Sequence, residues 1–139
     1  AMANAKEKGF EDRIKGFQIN MLDDSQAFPK GADVIWMSQF LDCFSEEEIL
    51  SILKRAAASM DEDAKLYILE TYWDRQRFDA ASYSLNATSL YFTAIANGNS
   101  RMYHSKDMIR LVQEAGLIVE KDTDDIGMGG HTLFRCALR

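Results

Sequence analysis

Apolar and polar positions along this chain follow two periods, one typical of strands and one typical of helices. Residues 32–37 form a short run that is apolar apart from Asp33, as expected of a strand that is covered on both faces. A polar and aromatic turn follows, and Ser45 and Glu48 then form an S-x-x-E capping box, which begins a helix. In open α/β sheets, ligands bind at the carboxyl ends of strands, so this stretch also marks a candidate site.

The remaining elements continue this alternation. Partly alternating apolar residues over 13–21 predict a strand, and residues 23–31 carry the Ser, Pro and Gly of a loop. The pattern further predicts a strand at 65–72, a helix at 79–96, a helix capped by Ser105 that ends at 115, and strands at 117–126 and 131–138. The segment Gly127-Met128-Gly129-Gly130 joins the last two strands, which is typical of an antiparallel hairpin. This order predicts an α/β fold with a partial, Rossmann-like sheet, mostly parallel, with helices on both faces and a carboxyl-terminal antiparallel hairpin.

Composition and charge narrow the function classes. The chain has 139 residues, of which 47% are hydrophobic and 27% charged, which indicates one globular domain at most. A net charge of -6 argues weakly against nucleic acid as a partner, because a phosphate backbone recruits Lys and Arg. An acidic solvated surface also explains that charge. We expect no membrane partner, since no apolar run reaches the length of a membrane span.

Cysteine and histidine are too few and too scattered to predict a metal site. Cys43 and Cys136 lie far apart, and with His104 and His131 they form no metal-binding spacing. We expect free thiols in a reducing cytoplasm and no catalytic role for either histidine. No signal-peptide pattern opens the chain, so a cytoplasmic protein is expected.

The amino terminus suggests an engineered boundary. Residues 1–12 are polar, and we expect them to be flexible. Ala1 precedes Met2, a potential initiator, which indicates a tag scar before a chosen start point. The sequence therefore predicts a flexible segment at 1–12 and one folded unit at 13–139, cut from a longer protein.

Four short segments, in this order along the chain, carry a family resemblance. They are Leu41-Asp42-Cys43-Phe44-Ser45-Glu46-Glu47 after a strand, the strand Leu66-Tyr67-Ile68-Leu69-Glu70 with its terminal acid, Gly98-Asn99-Ser100-Arg101, and Glu114-Ala115-Gly116-Leu117. Together with the terminal hairpin, they resemble the carboxyl half of class I S-adenosylmethionine-dependent O-methyltransferases, the plant caffeate type and their bacterial relatives. The resemblance spans roughly residues 12–139 and implies the carboxyl-terminal portion of a methyltransferase catalytic domain.

Parts of that family's pattern are not in this chain. The glycine-rich turn that holds the methionine end of the cofactor, the acidic residue that binds the ribose and the helical dimerisation domain would all precede residue 1. The resemblance therefore implies an inactive fragment whose full-length parent uses S-adenosylmethionine. It also implies an open edge at residues 34–37, so we expect a homo-oligomer, or residues 13–21 repositioned onto that edge.

The resemblance assigns catalysis to two carboxylates. In the family a His deprotonates the acceptor, and Asp42 stands at the matching position. An Asp is a poor base for a phenol unless burial raises its pKa, so Asp42 can equally orient an acceptor or serve as a charge at a helix terminus. Glu70 matches an acid that supports the catalytic His, and the alternative is a solvated charge at the end of a strand.

The resemblance also assigns residues to the cofactor and the acceptor. Phe44 matches a Trp that packs on the adenine, although it can also be a hydrophobic contact beside the Ser45 cap. The other cofactor candidates are Asn20 and Met21 at the adenine edge, where a turn-forming Asn is the alternative, and Ser38 and Gln39. The acceptor wall comprises Asn86, Leu90, Thr93 and Asn97, and the alternative for this helix is a core position.

Two functions stay open from the sequence. The first is an enzyme that transfers a methyl group from S-adenosylmethionine to an oxygen of a small acceptor, aromatic acceptors included. The second is a non-catalytic methyltransferase-like domain that binds a ligand or a partner. A third interpretation is an unrelated α/β binding module, and the strand order distinguishes it from a methyltransferase. A last strand inserted antiparallel between its two neighbours supports the methyltransferase fold, whereas an all-parallel sheet contradicts it.

Overall fold

The computed structural model describes residues 2–96 and 98–139. In chain order its elements are α1 (Met2–Glu7), β1 (Val34–Ser38), a 3-10 turn (Leu41–Cys43), α2 (Glu46–Ser59), β2 (Lys65–Glu70), a second 3-10 turn (Trp73–Arg75), α3 (Asp79–Tyr91), a π-helical turn (Phe92–Ala96), α4 (Ser105–Glu114), β3 (Leu117–Ile126) and β4 (His131–Leu138). Within these ranges, no helix is long and apolar enough to cross a membrane.

The strands form one four-stranded sheet in the order β1-β2-β4-β3. β1 pairs with β2 in parallel, whereas β4 runs antiparallel to both β2 and β3. The last strand thus lies between its two neighbours, and the predicted α/β sheet with its terminal hairpin is confirmed. Gly127, Gly129 and Gly130 in the hairpin turn have φ values of 72°, 97° and 84°, a region that residues with a Cβ rarely adopt.

The core lies between one face of the sheet and the helices α2 and α4. Side chains from all four strands meet the apolar stripes of these helices, and the apolar strand residues of the core cluster are Met37, Leu66, Ile68, Leu117, Phe134 and Cys136. On the opposite face, Trp36 of β1 is 56% exposed and contacts Tyr67 with ring centroids 5.8 Å apart. The helices α2 and α4 therefore cover the core face of the sheet, whereas the opposite face, which carries Trp36, is only half-buried.

The capping box fixes the start of α2 as predicted. The Ser45 side chain accepts from the Glu48 backbone N–H, and the Glu48 carboxylate accepts from the Ser45 N–H at 2.8 Å. The first turn carries Glu46, Glu47 and Glu48, whose charges favour the positive end of the helix dipole. The start of α2 is thereby set directly after the turn that ends β1.

The strand predicted at 13–21 is wrong, because this segment is irregular in the structure. A strand needs a hydrogen-bonded neighbour, and β2 is the one neighbour that β1 has in the sheet. Residues 13–21 are not repositioned onto the β1 edge either. Instead the Arg55 guanidinium of α2 donates to the carbonyl oxygens of Met21, Asp23 and Gln26 and so ties the loop at 21–26 to the helix.

Three helical segments differ in detail from the sequence prediction. The α-helix at 79–96 gives way to a π-helical turn at Phe92–Ala96. The residue that caps α4 is His104, whose Nδ1 accepts from the Lys106 N–H, whereas Ser105 is the first helical residue and is held by Asp74. Residues 2–7 form a short helix; the flexibility and tag scar predicted for residues 1–12 stay predictions.

Candidate active site

The turn after β1 lies beside the end of β2, because parallel strands end at the same edge of the sheet. Gln39 leaves the strand with a φ of 48°, in the left-handed region. Its backbone N–H still donates to Leu69 O of β2 at 2.9 Å, so the turn begins as a continuation of the sheet. The 3-10 turn then carries Asp42 toward the start of α2.

Glu70 holds this turn from the end of β2. Its side chain is buried, and Oε1 accepts from the backbone N–H groups of Phe40 at 2.9 Å and Leu41 at 2.8 Å. The second oxygen accepts from Gln39 Nε2 at 3.4 Å. Burial raises the pKa of Glu70 to about 7, against the opposing effect of the two backbone bonds. Glu70 is therefore not a solvated charge at a strand end, and it can exchange a proton near neutral pH.

Asp42 lies half-buried in the turn that Glu70 holds. Its pKa is raised by burial, which outweighs the hydrogen bond from the Cys43 thiol at 3.6 Å. Its backbone carbonyl accepts from the Arg101 N–H at 2.9 Å, which ties the turn to the loop before α4. Because a base works best with a pKa near the ambient pH, the upward shift makes Asp42 a better proton acceptor for an acidic hydroxyl than an exposed Asp.

The Cys43 thiol offers no alternative nucleophile at this turn. Burial and the neighbouring Asp42 raise its pKa, so the reactive thiolate is disfavoured. No group of three or more His, Cys, Asp and Glu side chains is placed to hold a metal ion in the described ranges.

An apolar cleft of about 410 Å³ runs along β1 and reaches the turn after it. Its lining residues are Met21, Ile35, Trp36, Met37, Ser38 and Phe40. The cleft thus brings together two of the predicted cofactor residues, Met21 and Ser38, from the loop tied by Arg55 and from the strand. An apolar cleft with a few polar groups suits a flat heterocyclic ligand. A cleft of similar volume, about 440 Å³, lies against the hairpin turn and contains none of the predicted site residues.

The other cofactor candidates, Asn20, Gln39 and Phe44, do not line this cleft. Asn20 uses Oδ1 to accept from the Leu22 N–H at 3.1 Å, the geometry of the turn-forming alternative. Phe44 packs edge-on against Phe40, with ring centroids 5.0 Å apart, and joins the margin of the core. Its carbonyl accepts from the Tyr103 hydroxyl at 2.6 Å. The structure therefore places Phe40, rather than Phe44, in the cleft wall.

Sequence reasoning missed Phe40 and Trp36. Trp36 lies in the apolar run at 32–37, which was interpreted as a strand covered on both faces, and Phe40 lies in the polar and aromatic turn that follows it. The one available signal was the position of Phe40 after the carboxyl end of a strand, where ligands bind.

The predicted acceptor residues lie on the outer side of α3 and its π-helical turn. Asn86, Leu90 and Thr93 are exposed, and Asn97 lies outside the described residues. The Asn86 amide donates to Ser82 O at 3.0 Å in its own helix. The alternative of a core helix is wrong for α3, because none of its residues is buried.

Comparison with known proteins shows the fold. No protein-family model matches this sequence, and no curated protein shows significant sequence similarity to it. Solved structures do match. The mitomycin 7-O-methyltransferase MmcR superimposes with a TM-score of 0.80 and 18% identity over 99% of this chain and 38% of that one. An O-methyltransferase family protein from Burkholderia thailandensis matches with a TM-score of 0.76 and 20% identity over 98% and 39% of the two chains.

A third structure contains ligands. NcsB1, an O-methyltransferase from neocarzinostatin biosynthesis, was solved with S-adenosylmethionine and 2-hydroxy-5-methyl naphthoic acid. It matches with a TM-score of 0.78 and 14% identity over 99% of this chain and 37% of its own. The chain thus has the fold of part of a class I S-adenosylmethionine-dependent O-methyltransferase, as the resemblance implied, and it spans under two fifths of the length of these structures.

Proposed function

We propose that this chain is the carboxyl-terminal part of an O-methyltransferase that transfers a methyl group from S-adenosylmethionine to an oxygen of a small, aromatic acceptor. The observation that carries the proposal is the turn held by Glu70. A buried carboxyl that accepts two backbone N–H bonds fixes Asp42 and the mouth of the apolar cleft at one sheet edge. The strand order around that edge is shared with O-methyltransferases.

The residues present fit the adenosine end of the cofactor. The wall of Met21, Trp36 and Phe40 offers apolar and aromatic surface for a base, and Ser38 and Gln39 supply polar groups beside it. When bound, S-adenosylmethionine supplies an electrophilic methyl group on a sulfonium. The part of this site that holds the methionine end is proposed to lie in sequence that precedes residue 1.

Asp42 is proposed as the group that removes the acceptor proton. Alignment of the acceptor oxygen with the methyl group supplies much of the rate, and proton removal by a carboxylate with a raised pKa adds to it. Glu70 acts as a positioning residue in this scheme, because its bonds go to backbone N–H groups of the turn rather than toward the cleft. Asn86, Leu90 and Thr93 can line an acceptor pocket only when a further surface covers the outer side of α3.

Several consequences belong to the same proposal. The chain of 139 residues by itself does not transfer methyl groups, since it spans 38% of MmcR. The partner is a small molecule rather than nucleic acid or a membrane, and the protein works in the cytoplasm as a homo-oligomer.

The test uses the full-length protein and its Asp42 variants. We expect calorimetric titration to show binding of S-adenosylmethionine to wild type and to Asp42→Asn alike. We expect transfer of labelled methyl groups to a panel of phenols to fall at least about a hundredfold in Asp42→Asn and to persist in Asp42→His, which restores the family base. Failure of wild type to bind the cofactor would remove the enzyme proposal.

A non-catalytic domain is the second candidate, and the Asp at position 42 favours it, because the family base is a His. In that case the full-length protein binds S-adenosylmethionine or a partner without turnover. Cofactor binding in wild type, combined with transfer that stays at background even in Asp42→His, would support this candidate over the enzyme.

A further inference from the structure

We propose that the segment at 101–103, directly before α4, couples α3 to the turn that carries Asp42. Tyr103 and Ser89 are the positioning residues of this coupling. The three residues of the segment together contact the turn, α3 and the chain directly after β2. The inference rests on the proposed function, because it concerns how Asp42 and the predicted acceptor residues of α3 are held relative to each other.

Two donors of the segment hold carbonyl groups on either side of Cys43. The Arg101 N–H donates to Asp42 O at 2.9 Å, and the Tyr103 hydroxyl donates to Phe44 O at 2.6 Å. Tyr103 is only 3% exposed, and burial raises the pKa of its hydroxyl, which therefore stays protonated and remains a donor. The acceptors of the turn are thus fixed from the segment before α4.

Glu70 fixes the donors of the same turn from a different element. Its Oε1 accepts from the N–H groups of Phe40 and Leu41, whereas the two carbonyl groups described above accept from the segment before α4. The turn is therefore bound both to the end of β2 and to this segment. A backbone that is held from two elements leaves the Asp42 side chain few alternative positions, which is the pre-organisation that proton removal requires.

Ser89 connects α3 to the segment. Its hydroxyl accepts from the Met102 N–H at 2.9 Å and donates to Leu85 O of its own helix at 3.0 Å. Among the residues that the structure describes, this is the one hydrogen bond that joins a side chain of α3 to another element. Because the N–H groups of Met102 and Arg101 are neighbours along the backbone, the position of α3 is linked to that of the Asp42 carbonyl.

The segment is itself anchored, so it can serve as a fixed support for both partners. Directly after it, the Ser105 N–H donates to the Asp74 carboxylate at 2.7 Å. Beside it, the Thr71 hydroxyl donates to Met102 Sδ at 3.4 Å, and Thr71 directly follows Glu70 in the chain. The support therefore includes the end of β2, from which Glu70 holds the turn.

The coupling bears on catalysis because Ser89 lies among the predicted acceptor residues. Leu90 follows it directly, and Asn86 and Thr93 are one turn away in either direction. No residue of α3 is buried, so apolar packing holds this helix only weakly and the bond through Ser89 gains in importance. A displacement of about 1 Å between the acceptor oxygen and its base can cost about a hundredfold in rate. Cofactor binding is a separate matter, since the cleft proposed for it runs along β1.

The kinetic test uses the full-length protein and two hydroxyl deletions, Tyr103→Phe and Ser89→Ala. With the phenol that wild type methylates fastest, we expect kcat to fall at least about tenfold in each variant. The Kd and the binding stoichiometry of S-adenosylmethionine, measured by calorimetry, should stay at their wild-type values, whereas loss of folded protein would lower the stoichiometry. Ser89→Thr keeps the hydroxyl and should restore kcat. Ser84→Ala is the matched control and should leave kcat unchanged, because the Ser84 hydroxyl bonds to Ala80 O in its own helix.

Hydrogen exchange tests the coupling without any need for activity. In the full-length protein we expect the Arg101 amide, which donates to Asp42 O, to exchange at least about tenfold faster in Ser89→Ala and in Tyr103→Phe than in wild type or Ser84→Ala. Unchanged exchange of this amide in both deletions overturns the inference.

The two measurements also separate this inference from the proposed function. If wild type transfers no methyl group, the proposed function fails, and faster exchange of the Arg101 amide in both deletions still supports the coupling. If wild type does transfer methyl groups and both deletions keep its kcat, the positioning roles of Tyr103 and Ser89 are overturned while the proposed function stands.

Discussion

Replacing Glu70 with Gln would remove the buried titrating group at the site while keeping the acceptor that holds the turn. Oε1 alone receives both backbone N–H groups, of Phe40 and of Leu41, and a glutamine offers the same carbonyl oxygen. The second oxygen becomes an amide that faces Gln39 Nε2, so the bond of 3.4 Å is lost. We therefore expect E70Q to fold with an intact turn.

The pKa of Glu70 sets how the difference between wild type and E70Q varies with pH. Burial, together with the Asp42 charge, raises the pKa to about 7 from 4.5. Between these values the folded state binds more protons than the unfolded chain, so the free energy of unfolding falls as pH rises. The contribution of Glu70 is thus fully present below pH 4.5 and is lost as the pH passes 7, and it amounts to about 3 kcal/mol.

Urea unfolding of the 139-residue chain, followed by circular dichroism at pH values that bracket 4.5 and 7, measures this difference. We expect the two proteins to be similar at the acidic end and E70Q to gain up to about 3 kcal/mol relative to wild type at the alkaline end. Glu62→Gln, in the exposed turn after α2, is the control for the same chemical change. A difference between wild type and E70Q that stays constant with pH, or that shifts toward wild type as pH rises, would refute the reasoning.

Three further outcomes follow from the packing. Ser45→Ala removes the Ser45 side chain from the α2 capping box and should lower the free energy of unfolding by about 1 kcal/mol. The control, Ser51→Ala in the same helix, should not lower it. Equal urea midpoints for the two variants would contradict this expectation. Arg55→Ala removes the donors to the loop at 21–26, so cleavage of that loop by chymotrypsin should speed up several-fold, and an unchanged rate would argue against the anchoring role. Phe134→Ala leaves a cavity in the core and should cost about 3–5 kcal/mol in urea unfolding; a loss below about 1 kcal/mol would show that the site collapses.

Elements whose signals are local could be predicted from the sequence. The capping box of Ser45 and Glu48 lies within one turn of helix, and it begins α2 where expected. The glycine turn at 127–130 joins two predicted strands of suitable length, and it forms the expected hairpin. Four motif segments were also enough to predict the family whose fold this chain has, because their order along the chain reflects the order of the strands along the chain.

Features that depend on distant neighbours could not be predicted. The alternating residues 13–21 suit a strand, but strand formation requires a hydrogen-bonding partner, and the chain brings none to them. The apolar residues of α3 suit a core helix, but the core forms between the sheet, α2 and α4, and no residue of α3 is buried.

The candidate site likewise has features that the sequence predicted and features that only the structure shows. Its position at the end of β1 and the identity of Asp42 and Glu70 came from the sequence, since residue types and strand ends are local properties. The sequence left Glu70 open between a solvated charge and a functional acid, and only the tertiary structure shows that the side chain is buried. Burial beneath the turn raises the pKa of Glu70 to about 7, and the paired N–H groups of Phe40 and Leu41 give the geometry on which its proposed positioning role rests. Solvent exclusion and hydrogen bonds across 29 or 30 residues of sequence are created by folding, and they set the chemistry of this carboxyl group.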